Sequence, residues 1–143
     1  MRHVFVAGSI NMDVVATAER HPRVGETVAG EAVLYFPGGK GANQAVAAAR
    51  LGGEVLLVSR VGDDLFGGGT IRNLRDIGID VTHVRAVPGA QSGVAPIFVE
   101  PSGENRILIV KGGLREDEFN GGYALRIRQC WDFEQLCADH AVR

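Results

Sequence analysis

A chain of 143 residues, 45% hydrophobic and 22% charged, has the length and balance of one globular domain with its own core and is too short for two. Its net charge of −2, with no basic cluster, excludes electrostatic recognition of nucleic acid or of an anionic membrane. No run of about 18 apolar residues and no apolar leader behind positive charge is present, so the chain reads as a cytoplasmic protein.

The elements follow in chain order. Residues 3–8, His3-Val4-Phe5-Val6-Ala7-Gly8, form a β-branched apolar run ended by glycine, which predicts a buried, central first strand of an α/β sheet. Residues 9–22 read as a polar connection. Residues 27–36 hold strand-like stretches, Thr27-Val28 and Val33-Leu34-Tyr35-Phe36, interrupted at Gly30. A glycine-rich loop at 38–41 leads into a helix over 41–51, closed by Gly52-Gly53. Residues 54–61 read as a second buried strand.

Gly62-Asp63-Asp64 supplies an N-cap for a second helix over 65–77, with Gly78 behind it. Gly67, Gly68 and Gly69 weaken its first turn by about 1 kcal/mol each against alanine. Residues 80–85 read as a third strand. Two alternating segments, 93–100 and 105–110, flank a hairpin turn at Pro101-Ser102-Gly103-Glu104. Strand–helix–strand–helix–strand argues for a parallel sheet covered by helices. The hairpin and residues 27–36 stand outside that alternation and are expected to pair as a separate small sheet.

The loop Gly38-Gly39-Lys40-Gly41-Ala42-Asn43-Gln44-Ala45 holds the densest chemistry. Its glycines let the backbone approach a ligand, and the helix N-terminus behind it presents N–H groups to oxygen-rich molecules. Lys40 adds a cation and Asn43 an amide that both donates and accepts. A simple turn before a helix would look the same. The phosphate-loop and dinucleotide patterns both fail on spacing: Lys40 precedes Gly41 with no Ser or Thr after it, and Gln44 stands where the last glycine of G-x-G-x-x-G belongs.

Asn11 and Asp13 lie two apart, so in an extended segment they face one side while Met12 packs on the other. A carboxylate beside an amide suits a polyol, although a loop Asn and Asp that bond their own backbone would read alike. Asp63-Asp64 reads as a helix cap rather than a metal site. Cys130 and Cys137, seven residues apart, would stand about 10 Å apart along a helix, too far for a disulfide, and no Cys/His metal spacing occurs.

Gly8-Ser9-Ile10-Asn11-Met12-Asp13, Gly25-Glu26-Thr27, the Gly38–Ala45 loop, Gly62-Asp63-Asp64-Leu65-Phe66-Gly67 and Ser92-Gly93-Val94-Ala95 stand in an order and spacing that resembles the ribokinase family, the phosphofructokinase-B group of carbohydrate kinases. The likeness covers about residues 2–112. It implies the N-terminal portion of a ribokinase-like parallel sheet covered by helices, with a small β lid from about 27–36 and 93–110. It implies that Asn11, Asp13, Gly39, Lys40, Gly41 and Asn43 bind the sugar, with D-ribose the nearest substrate by motif. It further implies ATP as phosphoryl donor, Mg²⁺, a stimulating monovalent cation, and a homodimer paired through the lid.

The chain departs from the family as well. The Gly-Ala-Gly-Asp motif that carries the catalytic base and anion hole, and the nucleotide-binding strands, are absent, so no catalytic residue is assigned. Residues 114–143 hold both cysteines and the only Trp, and differ in composition from what precedes them. They are expected to be non-family sequence behind an interrupted kinase gene. The rival reading is an amphipathic helix carrying Tyr123, Ile127, Cys130, Trp131, Cys137 and Ala138 on one face, broken by Glu134. The expected reaction class is a sugar kinase by descent, the alternatives a catalytically inactive sugar-binding or lid-dimerising chain, or a kinase of another sugar, a sugar phosphate or a nucleoside.

Overall fold

The computed structural model describes residues 3–112, so the boundary near 113, the cysteines and the proposed tail helix lie outside the described residues. Among these residues the chain runs β1 (His3–Ala7), β2 (Asn11–Thr17), β3 (Ala32–Gly38), α1 (Lys40–Arg50), β4 (Glu54–Gly62), α2 (Leu65–Asp76), β5 (Val84–Val87), β6 (Gly93–Val99) and β7 (Asn105–Ile107). Two sheets result: a parallel one of order β1-β4-β5, and a four-stranded one of order β3-β2-β6-β7.

The parallel sheet carries the core. Along β4, Val55, Leu57 and Val61 alternate onto one face and meet Ala42 and Ala45 of α1, Leu74 of α2 and Ile79 behind it. Small residues let α1 lie close to the sheet, and Ala45 and Leu57 are fully buried. Helix α1 stops because Gly52 turns to φ 83°, with the Gly53 N–H donating to the Ala48 carbonyl at 3.0 Å. Helix α2 starts on Asp64, whose carboxylate accepts the Gly67 N–H at 2.9 Å, and ends before Gly78 at φ 93°.

The three glycines of α2 are not equivalent. A Cβ on Gly67 would lie 3.0 Å from the Ser92 Oγ and from Val61 Cγ2, besides meeting the Gly62 carbonyl, whereas Gly69 faces open space. The weak helix propensity at 67 is therefore the cost of a close approach, while that at 69 has no contact behind it.

Five expectations are corrected. The segment 9–22 is not a connection: β2 occupies Asn11–Thr17, its β-branched Val14 and Val15 outweighing the polar residues at its start. This strand sits between the two segments expected to pair with each other, antiparallel to β3 and parallel to β6. Thr27-Val28 is outside any strand, and β3 runs instead over Ala32–Gly38. The third strand lies at Val84–Val87, later than 80–85, because Asp80 makes only a single bridge to Leu56. Finally, β1 is an edge strand of the described sheet rather than a central one, with only Val6 buried.

Candidate functional site

The turn from β1 into β2 and the turn from β3 into α1 are pressed together by glycines. A Cβ on Gly41 would come 2.6 Å from the Gly8 Cα, and one on Gly8 2.7 Å from the Gly41 Cα, so only two glycines fit. Gly8 is itself fixed from β4, its N–H donating to the Val58 carbonyl at 3.2 Å and its carbonyl accepting the buried Ser59 hydroxyl at 2.6 Å. Gly39 takes φ 98° as the N-cap of α1, and a Cβ there would lie 2.8 Å from the Asn11 N. The conformation and the crowding both demand glycine.

Asn11 and Asp13 leave this junction on one face of β2, and Met12 between them is buried on the other. Each stands over a glycine of a neighbouring strand. Asn11 pairs in register with both Gly38 and Gly93, and a Cβ on Gly93 would meet the Asn11 amide oxygen. A Cβ on Gly38 would lie 2.6 Å from the Asp13 Cγ. Gly38 and Gly93 thus act as seats for the two polar side chains. Sequence reasoning missed them in that role, because strand partners cannot be read from local pattern.

Burial raises the Asp13 carboxyl above its ordinary value. It lies beside Gly38-Gly39, one residue from the start of a helix with no acidic residue in its first turn and no side-chain cap. Not every N–H of that first turn is free: Ala42 donates to the Ser9 carbonyl at 3.2 Å and Asn43 to the Gly39 carbonyl at 2.9 Å. Lys40 and Asn43 lie exposed on this turn, and Gly41 is buried against Gly8. The junction therefore collects a partly desolvated carboxylate, two amides, an ammonium and a helix N-terminus. Such a set can accept from and donate to several hydroxyls of one small polar molecule.

Asp63 and Asp64 serve the fold. Asp64 caps α2, and Asp63 accepts the Gly89 N–H at 2.9 Å. Among the described residues, no three or more His, Cys, Asp or Glu side chains come together as a metal site.

Residues 1–136 match the pfkB family carbohydrate kinase. Over 125 residues the chain is 46% identical to the ribokinase of Bacillus subtilis, covering 87% of this chain and 42% of that one. It is 50% identical over 109 residues to the deoxyribokinase of Salmonella typhi, covering 76% of this chain and 36% of the relative. Among solved structures, Arabidopsis thaliana ribokinase complexed with ribose and ATP superposes with a TM-score of 0.69 at 35% identity, over 78% of this chain and 36% of that one. The chain thus spans less than half the length of these relatives. Over 39 residues, 27% of its length, it is also 82% identical to the DNA polymerase III subunit alpha of Xylella fastidiosa.

Proposed function

The chain belongs to the pfkB family of carbohydrate kinases, and we propose that its residues 3–112 are the sugar-binding side of a ribokinase-type enzyme, the acceptor being D-ribose at its primary hydroxyl. The observation that carries this reading is the seating of Asn11 and Asp13 on one face of β2, directly against the N-terminus of α1. The Asp13 carboxylate accepts from two ring hydroxyls and the Asn11 amide accepts and donates. Lys40, Asn43 and the backbone at Gly39 and Gly41 approach the same molecule from the helix side. Ribose binding to the Arabidopsis relative and kinship to both a ribokinase and a deoxyribokinase support a pentose acceptor.

ATP is the donor in this reading, with Mg²⁺ and a monovalent cation as the family implies. Among the described residues no three His, Cys, Asp or Glu side chains come together around a metal, and none of residues 3–112 is assigned as the base. Phosphoryl transfer rests on positioning and charge stabilisation of the phosphates, so no step of it is derived from residues 3–112. A second reading is a sugar-binding or lid-dimerising chain without turnover. In both readings the four-stranded sheet is the lid, and its exposed apolar residues support pairing with a second copy.

The test is calorimetric titration with D-ribose and 2-deoxyribose, alongside an ATP-consumption assay. Ribose should bind, and Asn11→Ala should weaken it about tenfold, as expected for one lost hydrogen-bonding group. Binding unaffected by that substitution would remove the sugar reading, and ATP turnover with ribose would remove the inactive one.

We propose as well that residues 114–143 are not kinase sequence. Their composition, with both cysteines and the only Trp, supports this, against a family match that runs on to residue 136. Deleting 114–143 should leave ribose affinity and melting temperature unchanged; a fall in either would make the segment part of the kinase fold.

A further inference from the structure

Side chains fasten the second sheet to the junction of β4 and α2. Asp64, at the junction of β4 and α2, uses both carboxylate oxygens: Oδ1 accepts the Gly67 N–H at 2.9 Å and the Ser92 hydroxyl at 2.6 Å, and Oδ2 accepts the Ser92 N–H at 2.8 Å. The Ser92 Oγ in turn accepts the Gly62 N–H at 3.1 Å. Gly62 has no room for a side chain, since a Cβ there would lie 2.5 Å from the Ala90 carbonyl oxygen. The segment 89–92 is therefore fastened to the end of β4 and the start of α2. Ser92 is buried at 5% exposure, and the next residue, Gly93, opens β6 and is the seat of the Asn11 amide.

We propose that Asp64 is a positioning residue of the sugar site, which through Ser92 fixes Gly93 and hence the placing of Asn11 against the N-terminus of α1. This rests on the ribokinase-type reading for its link to sugar, while the mechanical part stands on the hydrogen bonds alone. Asp63 adds a second tie to the same segment through Gly89. Burial works against ionisation of Asp64, but the hydroxyl and N–H of Ser92 and the N–H groups of Gly67 and Phe66 together hold it below the usual range. It is thus a carboxylate near neutrality, able to accept from all of these donors. Helix capping alone would need only one oxygen.

That difference makes the proposal testable. Asp64→Asn keeps an oxygen for the Gly67 N–H, and Asn caps as well as Asp, but it turns an amide NH₂ toward a Ser92 donor. Ser92→Ala leaves the cap intact and removes only the hydroxyl. Nitrogen-15 NMR of the ligand-free full chain reads the result at the Asn11 side-chain amide and at the Gly93 and Gly67 N–H groups. In both variants the Asn11 and Gly93 signals should shift and Gly93 hydrogen exchange should quicken about tenfold, the loss expected for a charge-assisted hydrogen bond. Gly67 should remain as protected as in the parent. Asn11 and Gly93 unchanged in both variants would overturn the proposal, as would a change spread equally over Gly67. Ribose titration of the same samples separates the two readings. A parent that binds no ribose refutes the sugar assignment, while the Asn11 and Gly93 signals still decide the role of Asp64. A parent that binds and variants that bind equally well refute the positioning role.

Discussion

The parallel sheet and the four-stranded sheet are built from similar residues and end in opposite conditions. Behind β4, Leu57, Ala45 and Leu74 are at most 1% exposed, and two helices close the core. Across the second sheet, Leu34, Tyr35 and Phe36 stand 48%, 59% and 50% exposed, and Ile107 reaches 56%. The first sheet is held by packing, which is local to residues 3–87. The second is held by its hydrogen-bonded ladders and by its root at Gly38, Gly39 and Ser92, and leaves apolar area uncovered. The open sheet is the one carrying Asn11 and Asp13, the two residues proposed to meet a ligand.

The sharpest way to break the comparison is to cut both regions alike. Leu57→Ala opens a cavity in the closed core and should cost about 2–5 kcal/mol, enough to consume much of the 5–15 kcal/mol typical of a domain. Urea unfolding followed by circular dichroism measures it. A loss below about 1 kcal/mol would mean that the core yields where the packing says it cannot.

Substitutions in the open sheet should act on association instead. Leu34 and Phe36 share the face of Asp13, while Val33 and Phe98 lie on the other. One double variant per face, Leu34→Ser with Phe36→Ser and Val33→Thr with Phe98→Ser, should change stability by less than about 1 kcal/mol per position, as exposed sites do. One of the two should abolish self-association in size-exclusion chromatography over a concentration series. If both elute as the parent does, pairing through this sheet is wrong.

The same contrast explains what could be read from sequence. Helix α1 was legible to within a residue because its signals are local, an alanine run ended by Gly52. Asp64 was legible as a cap for the same reason. Its bonds to Ser92 span 28 positions and have no local signature. In the open sheet, the two-residue spacing of Asn11 and Asp13 placed them on one face, yet β2 itself was read as a connection because polar residues begin it. Gly38 and Gly93 became seats only through strand pairing. Gly67 was counted as a weak helix position, when its missing Cβ makes room for Val61 and Ser92. Local chemistry was visible; what it leans on was not.

The smallest effect on stability, and the most telling for function, belongs to Asp13. Burial raises its carboxyl in the folded chain above the unfolded value. For an acid, that sign means the folded state binds the proton more tightly, so ionisation is harder in the fold than in the unfolded chain. The resulting penalty is absent below the ordinary carboxylate range and sets in as pH rises through the raised value. Asp13→Asn removes it, so the variant should melt at the same temperature as the parent, or slightly above it, at neutral pH. Toward acid the two should converge. Ribose affinity should move the other way, falling about tenfold or more, because an amide in place of the carboxylate gives up one acceptor and the charge assistance. Scanning calorimetry across pH, paired with titration of ribose at pH 7, reads both. A variant less stable than the parent at neutral pH would show that the carboxylate supports the fold, and Asp13 would lose its claim to be held for a ligand.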